Sequence, residues 1–117
     1  MLMVWNRTLT GNDPQIEALC RRYIASLGDK RAALESAWRG CRPDGDRDAG
    51  LRELAALAHR LAGSAGSYGF DELGLQARNV DRIASNLLAN AAHPDGRHLA
   101  HEVATLFAAI DSARSQR

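Results

Sequence analysis

At 117 residues the chain carries one domain's worth of sequence, enough to bury a single continuous core and too little for a second folded unit, so one domain over residues 1–117 is expected. Fifteen Lys plus Arg against 14 Asp plus Glu leave a formal net charge of +1, which excludes a global basic field for nucleic acid or an anionic membrane. Hydrophobic residues make up 45% of the chain and aromatics only 5%, with Ala and Leu dominant, a composition that favours close helix packing over a β-sandwich and predicts an all-α protein.

The opening Met1-Leu2-Met3-Val4-Trp5-Asn6-Arg7 lacks the charged start and long apolar stretch of a signal peptide, and no run of about eighteen apolar residues follows. A cytoplasmic protein is expected. Asp13-Pro14 marks a helix start, because Asp caps the orphan amides while Pro occupies a position where no N–H is needed. Ile16, Leu19, Cys20, Tyr23, Ile24 and Leu27 then recur at three-and-four spacing. Gly28-Asp29 is expected to close this helix and cap the next, or to bend one long helix; Leu34, Ala37, Trp38 and Cys41 continue the apolar pattern. Residues 40 to 50 concentrate Gly, Pro, Asp and Arg and predict a loop at about 42–50. Cys20 and Cys41 have no CxxC spacing and are expected to be reduced, mostly buried thiols rather than a disulfide or a metal pair.

A third helix is predicted from about Asp48, with Leu51, Leu54, Ala58, Leu61, Ala65 and Tyr68 as its buried stripe and Gly69 as its stop. The fourth runs from about Asp71, with Leu73, Ala77, Val80, Ala84, Leu87 and Leu88 inward, and stops within residues 90–94. Asp95 caps the last, which presents Leu99, Val103, Leu106, Phe107 and Ile110 on one face. Single apolar stripes joined by short connections are buried most simply in an antiparallel up-down four-helix bundle, here with an additional short N-terminal helical segment.

At about 100° per residue, His59 falls well away from the centre of the third helix's stripe and is expected to point to solvent. Its neighbours three, four and seven residues away are Arg52, Ala55, Ala56, Ala62, Gly63 and Gly66. Apart from one Arg, all are Ala or Gly, where an ordinary solvent face carries long polar side chains. Glycine inside a helix costs about 1 kcal/mol relative to alanine, so Gly63 and Gly66 call for a packing or functional reason. The alternative is a helix that ends near Leu61 with 63–69 as a loop; the stripe's continuation through Ala65 and Tyr68 weighs against it.

The stretch Ala58-His59-Arg60-Leu61-Ala62-Gly63-Ser64-Ala65-Gly66-Ser67-Tyr68-Gly69-Phe70, followed by Leu73, resembles the phosphoacceptor helix of the histidine phosphotransfer (HPt) domain family. That family's pattern is His-x-Leu-Lys-Gly-Ser-(Ser/Ala), with Gly ten residues after the His and Leu shortly beyond. His59, Leu61, Gly63, Ser64, Ala65, Gly69 and Leu73 match it, and helix order and chain length fit as well. The resemblance makes residues 48–68 the phosphoacceptor helix and His59 the acceptor. Ala62 departs from the pattern, since the family's Lys stands there; Arg78, Arg60 or Arg52 is expected to supply the missing charge, Arg78 foremost. The resemblance also places a hydrogen-bonding polar residue on the next helix, which corresponds to Asp81; the competing role for Asp81 is a surface ion pair with Arg78 or Arg82.

The implied function is a phosphoryl carrier without kinase activity, one that takes phosphate from a receiver-domain aspartate onto His59 Nε2 and returns it to another receiver. Ala55, Ala56, Ala62 and Gly66 are expected to let the partner's backbone approach closely, with Gly63 and Ser64 supporting the site. No GxxxxGK[ST] or GxGxxG occurs, so no nucleotide site is expected, and no intrinsic cofactor, Mg²⁺ being the receiver's contribution. Response regulator receivers and a hybrid sensor kinase are the implied partners, and the chain is expected to be a monomer. Two competing readings are a scaffold whose His59 is never phosphorylated, and a metal-binding bundle using His93, His98 and His101, two of which share a helix face.

Overall fold

The computed structural model describes residues 14–41, 46–89 and 96–115. These form four helices: α1 (Pro14–Arg39), α2 (Arg47–Ser67), α3 (Asp71–Ala89) and α4 (Gly96–Arg114), with no strand among the described residues. Each helix packs on two others, α1 on α2 and α4, and α3 on α2 and α4, which closes an antiparallel four-helix bundle. The predicted stripes are the core: Leu51, Leu54, Ala58, Leu61 and Ala65 of α2, Leu73, Ala77, Val80, Ala84 and Leu87 of α3, and Leu99, Val103, Leu106 and Ile110 of α4 are all buried. Tyr68, Leu88 and Phe107 pack against that core while half-buried.

Of the two readings of Gly28-Asp29, closure of one helix and capping of the next does not occur; Pro14–Arg39 is one unbroken helix, and any additional helical segment before Pro14 lies outside the described residues. One interior glycine costs about 1 kcal/mol, while burial of Leu27 and Leu34 on either side of it contributes about 2 kcal/mol each, so the helix continues. The start of α1 is less covered than its apolar pattern implies. Leu19 is 43% exposed, and Ile16, Cys20 and Ile24 are half-buried. Tyr23 already lies level with the end of α2, so residues before it run past their neighbour. The two cysteines are free thiols, half-buried rather than mostly buried. The expected caps Asp13 and Asp95, and the stop within residues 90–94, lie outside the described residues.

The helix that carries His59 is fixed at both ends by local chemistry. Asp46, two residues before the expected start, caps α2 by accepting from the Ala49 amide at 3.1 Å, so the helix begins at Arg47 and Gly50 is helical rather than part of the loop. At the other end Gly69 takes a φ of +85°, the amide of Phe70 returns to Ala65 O at 2.9 Å and that of Gly69 to Gly66 O at 3.1 Å. This is the six-to-one and five-to-two bonding of a Schellman turn, and it needs a residue without a Cβ penalty at Gly69.

Candidate functional site

α2 runs unbroken through Gly63 and Gly66 to Ser67, so residues 63–67 are helix and not loop. His59 stands on its outer surface with a side chain 79% exposed, as its angular position predicts. Its Nδ1 lies 3.1 Å from Asp81 Oδ2 on α3. A carboxylate oxygen can only accept, so Nδ1 carries the hydrogen, and in the neutral ring Nε2 keeps its lone pair. Asp81 is only 23% exposed at its side chain and makes no ion pair with Arg78 or Arg82; the shorter Asp reaches the imidazole because α2 and α3 pack closely. Its second oxygen, Oδ1, accepts from Ser85 Oγ at 3.1 Å.

Gly74 sets that close approach. A Cβ there would lie 3.3 Å from Ala62 O and 3.5 Å from the Gly66 amide nitrogen. With Gly74 against Ala62 and Gly66, and Asp81 against His59, the antiparallel register puts Arg78 opposite Ala62, on the same edge of α3 one turn before Asp81. Arg78 is exposed and has no partner among the described residues.

The expected small-residue face divides in two. Ala55 and Ala62 are each only 8% exposed, so they belong to the α2–α3 seam and are small because α3 covers them, not because a partner must reach them. Ala56, Gly63 and Gly66 are exposed, and a Cβ on either glycine would meet nothing within 4 Å. Neither has a positive φ. Nothing within the described fold therefore requires glycine at these two helical positions.

The other supporting residues point elsewhere. Ser64 does not serve His59: its Oγ lies 2.7 Å from Tyr23 OH and 3.3 Å from Leu61 O, which ties α2 to α1. Tyr23 in turn stacks on Tyr68 at 4.5 Å and on Phe70 at 5.9 Å, and burial pushes its phenol above the ordinary range despite the Ser64 bond. Arg60 lines a groove of about 210 Å³ between α1 and α2 with Lys30, Leu34 and Leu57, on the side of α2 away from Asp81. Arg52 is exposed about two turns before His59. Ser85 and Tyr23 are the contributors that pattern reading missed; only the four-residue spacing from Asp81 to Ser85 hinted at the first.

His98 Nε2 faces Glu102 Oε2 at 3.8 Å, and no group of three His, Cys, Asp or Glu side chains converges among the described residues, while His93 lies outside them. The same region braces the bundle, with Gln76 Nε2 donating to Glu102 O at 3.1 Å and to its Oε1 at 2.8 Å. No described helix is long and apolar enough to cross a membrane.

No curated protein and no solved structure matches the chain significantly. The family model described as Hpt domain matches residues 18–113, which takes in all of α2 and α3 and most of α1 and α4. With an exposed histidine held by a carboxylate from the adjacent helix of a four-helix bundle, and that match across most of its length, the chain belongs to the Hpt domain family, whose members have a phosphotransfer role in two-component phosphorelays.

Proposed function

We propose that His59 accepts a phosphoryl group from the aspartyl phosphate of a receiver domain and passes it to the aspartate of another. The observation that carries this reading is the exposed His59 with Nδ1 committed to Asp81 beside a face where two helical glycines have no internal use. Nε2 attacks phosphorus in line; the N–P bond forms as the P–O bond to the receiver's aspartate breaks, and the carboxylate leaves. Attack through Nε2 leaves its proton count unchanged, and Nδ1–H goes on donating to Asp81 as charge develops on the ring.

Ala56, Gly63 and Gly66 give the partner's backbone room to approach, while Ala55 and Ala62 hold the seam behind them. Arg78, exposed opposite Ala62, supplies positive charge for the phosphoryl oxygens in place of the Lys of the family pattern. The chain itself acts as a carrier with no cofactor of its own; the receiver brings Mg²⁺, and a hybrid sensor kinase is the upstream source.

Incubating the protein with a radiolabelled phospho-receiver and Mg²⁺ tests this. The expected result is an acid-labile label on the chain that is absent in His59→Ala and accumulates several-fold more slowly in Arg78→Ala. A folded wild-type chain that takes no label from any receiver, or a His59→Ala variant that still takes it, contradicts the proposal and leaves the scaffold reading.

A further inference from the structure

Asp81 uses both of its carboxylate oxygens, one for His59 and one for Ser85, each at 3.1 Å. Ser85 stands one turn further along α3, and its hydroxyl donates to a carboxylate side chain of its own helix, where four other hydroxyls take main chain. Ser26 donates to Tyr23 O, Ser67 to Gly63 O, Thr105 to His101 O and, just past the end of α4, Ser115 to Asp111 O, in every case a main-chain carbonyl one turn back. The last is an internal control. Asp111 and Ser115 have the same four-residue spacing as Asp81 and Ser85, yet Ser115 takes the carbonyl, and the Asp111 carboxylate is bound by Arg31 at 2.8 Å.

We infer that Ser85 is a positioning residue for His59, acting through Asp81: its hydroxyl holds the carboxylate so that Oδ2 stays on Nδ1 and Nε2 presents its lone pair. The inference rests on the reading of His59 as the phosphoacceptor. The terminal torsion of an aspartate is broad, so one hydrogen bond to a largely exposed imidazole leaves the carboxylate free to swing. A second bond to the opposite oxygen, from the same helix, restricts that rotation. Without it the imidazole loses part of its preference for the Nδ1–H tautomer, and a ring protonated on Nε2 instead cannot attack phosphorus there.

The test measures the His59 tautomer by ¹⁵N NMR in the free protein, and separately the rate of phosphoryl acceptance from a phospho-receiver. Ser85→Ala is expected to shift the ring from Nδ1–H toward Nε2–H and to slow acceptance by between about twofold and tenfold, the range of one hydrogen bond. Its melting temperature stays the same or rises, since Ala suits an exposed helical position better than Ser. Asp81→Ala has the larger effect, and adding Ser85→Ala to it changes neither tautomer nor rate, as a residue acting only through Asp81 must behave. An unchanged tautomer in Ser85→Ala, or a loss that adds to that of Asp81→Ala, overturns the inference. Because the tautomer is read without a partner, failure of phosphotransfer itself is a separate result.

Discussion

Gly50 and Gly63 stand on the same helix and are both enclosed by regular α2 backbone, yet their surroundings are opposite. At Gly50 an added Cβ would come within 2.6 Å of the Gly40 carbonyl carbon and oxygen and 2.8 Å of the Cys41 amide nitrogen, so the turn that follows α1 crosses α2 backbone to backbone. At Gly63 it would meet nothing. The first glycine is demanded by the fold. The second weakens the helix with no internal return, and it sits one turn from an exposed, hydrogen-bonded imidazole. The same contrast holds between Gly74, which lets α3 close on Ala62, and Gly66, which is open. Sequence treats all four alike, and only packing separates the glycines that the bundle requires from those that it leaves open.

Alanine substitutions sharpen this comparison. Gly50→Ala is expected to cost the most, roughly 2–3 kcal/mol by chemical denaturation, because both clashing groups are main chain and cannot rotate away. Gly69→Ala comes next at about 1–2 kcal/mol, since its left-handed φ penalises any Cβ even in open space. Gly63→Ala and Gly66→Ala should each raise stability by about 1 kcal/mol, the opposite sign. Gly74→Ala is expected near zero, with the propensity gain offset by the squeeze at 3.3 Å on Ala62 O. A destabilised Gly63→Ala, or a harmless Gly50→Ala, breaks the division between the two classes.

Ser64→Ala extends the comparison from glycines to the supporting polar residues. It removes the Tyr23 bond and should cost about 1 kcal/mol of stability while leaving phosphoryl acceptance intact, which thermal melts and the labelling assay check together. The Tyr23 phenol adds a pH dependence. Its folded-state pKa is raised by burial above the ordinary 10, so the neutral form favours the fold, and stability should fall as pH rises above about 10. The slope of unfolding free energy against pH in that range reads it.

The helices and most of their buried faces were legible because Leu, Val and Ile at helical spacing mark the covered side; the exception is the start of α1, where Leu19 is exposed and Ile16 half-buried. Exposure of His59 followed from the same angle. Alanine is where that reading failed: Ala55, Ala56 and Ala62 are compatible with either a solvent face or a tight helix seam, and the seam claims the first and last. Its place in the motif puts Ser64 with the His59 site, although five residues at 100° each turn it well round the helix, toward α1. Gly28 and Asp29 look like a boundary locally, but long-range burial of Leu27 and Leu34 overrode them. The resemblance points to Asp81, but its distance to His59 depends on the closeness that Gly74 allows, which no local pattern displays.

The measurement closest to the central claim pairs Gly63→Ala with Gly63→Gln, each assayed for stability and for phosphoryl acceptance from the same phospho-receiver. Both variants should fold at least as stably as wild type, because a Cβ at residue 63 meets open space and Ala and Gln are both better helix formers than Gly. The Gln variant should lose acceptance by about tenfold or more while Ala loses little, the pattern of a face kept bare for a docking partner. Wild-type transfer rates in a folded Gly63→Gln protein would contradict that account.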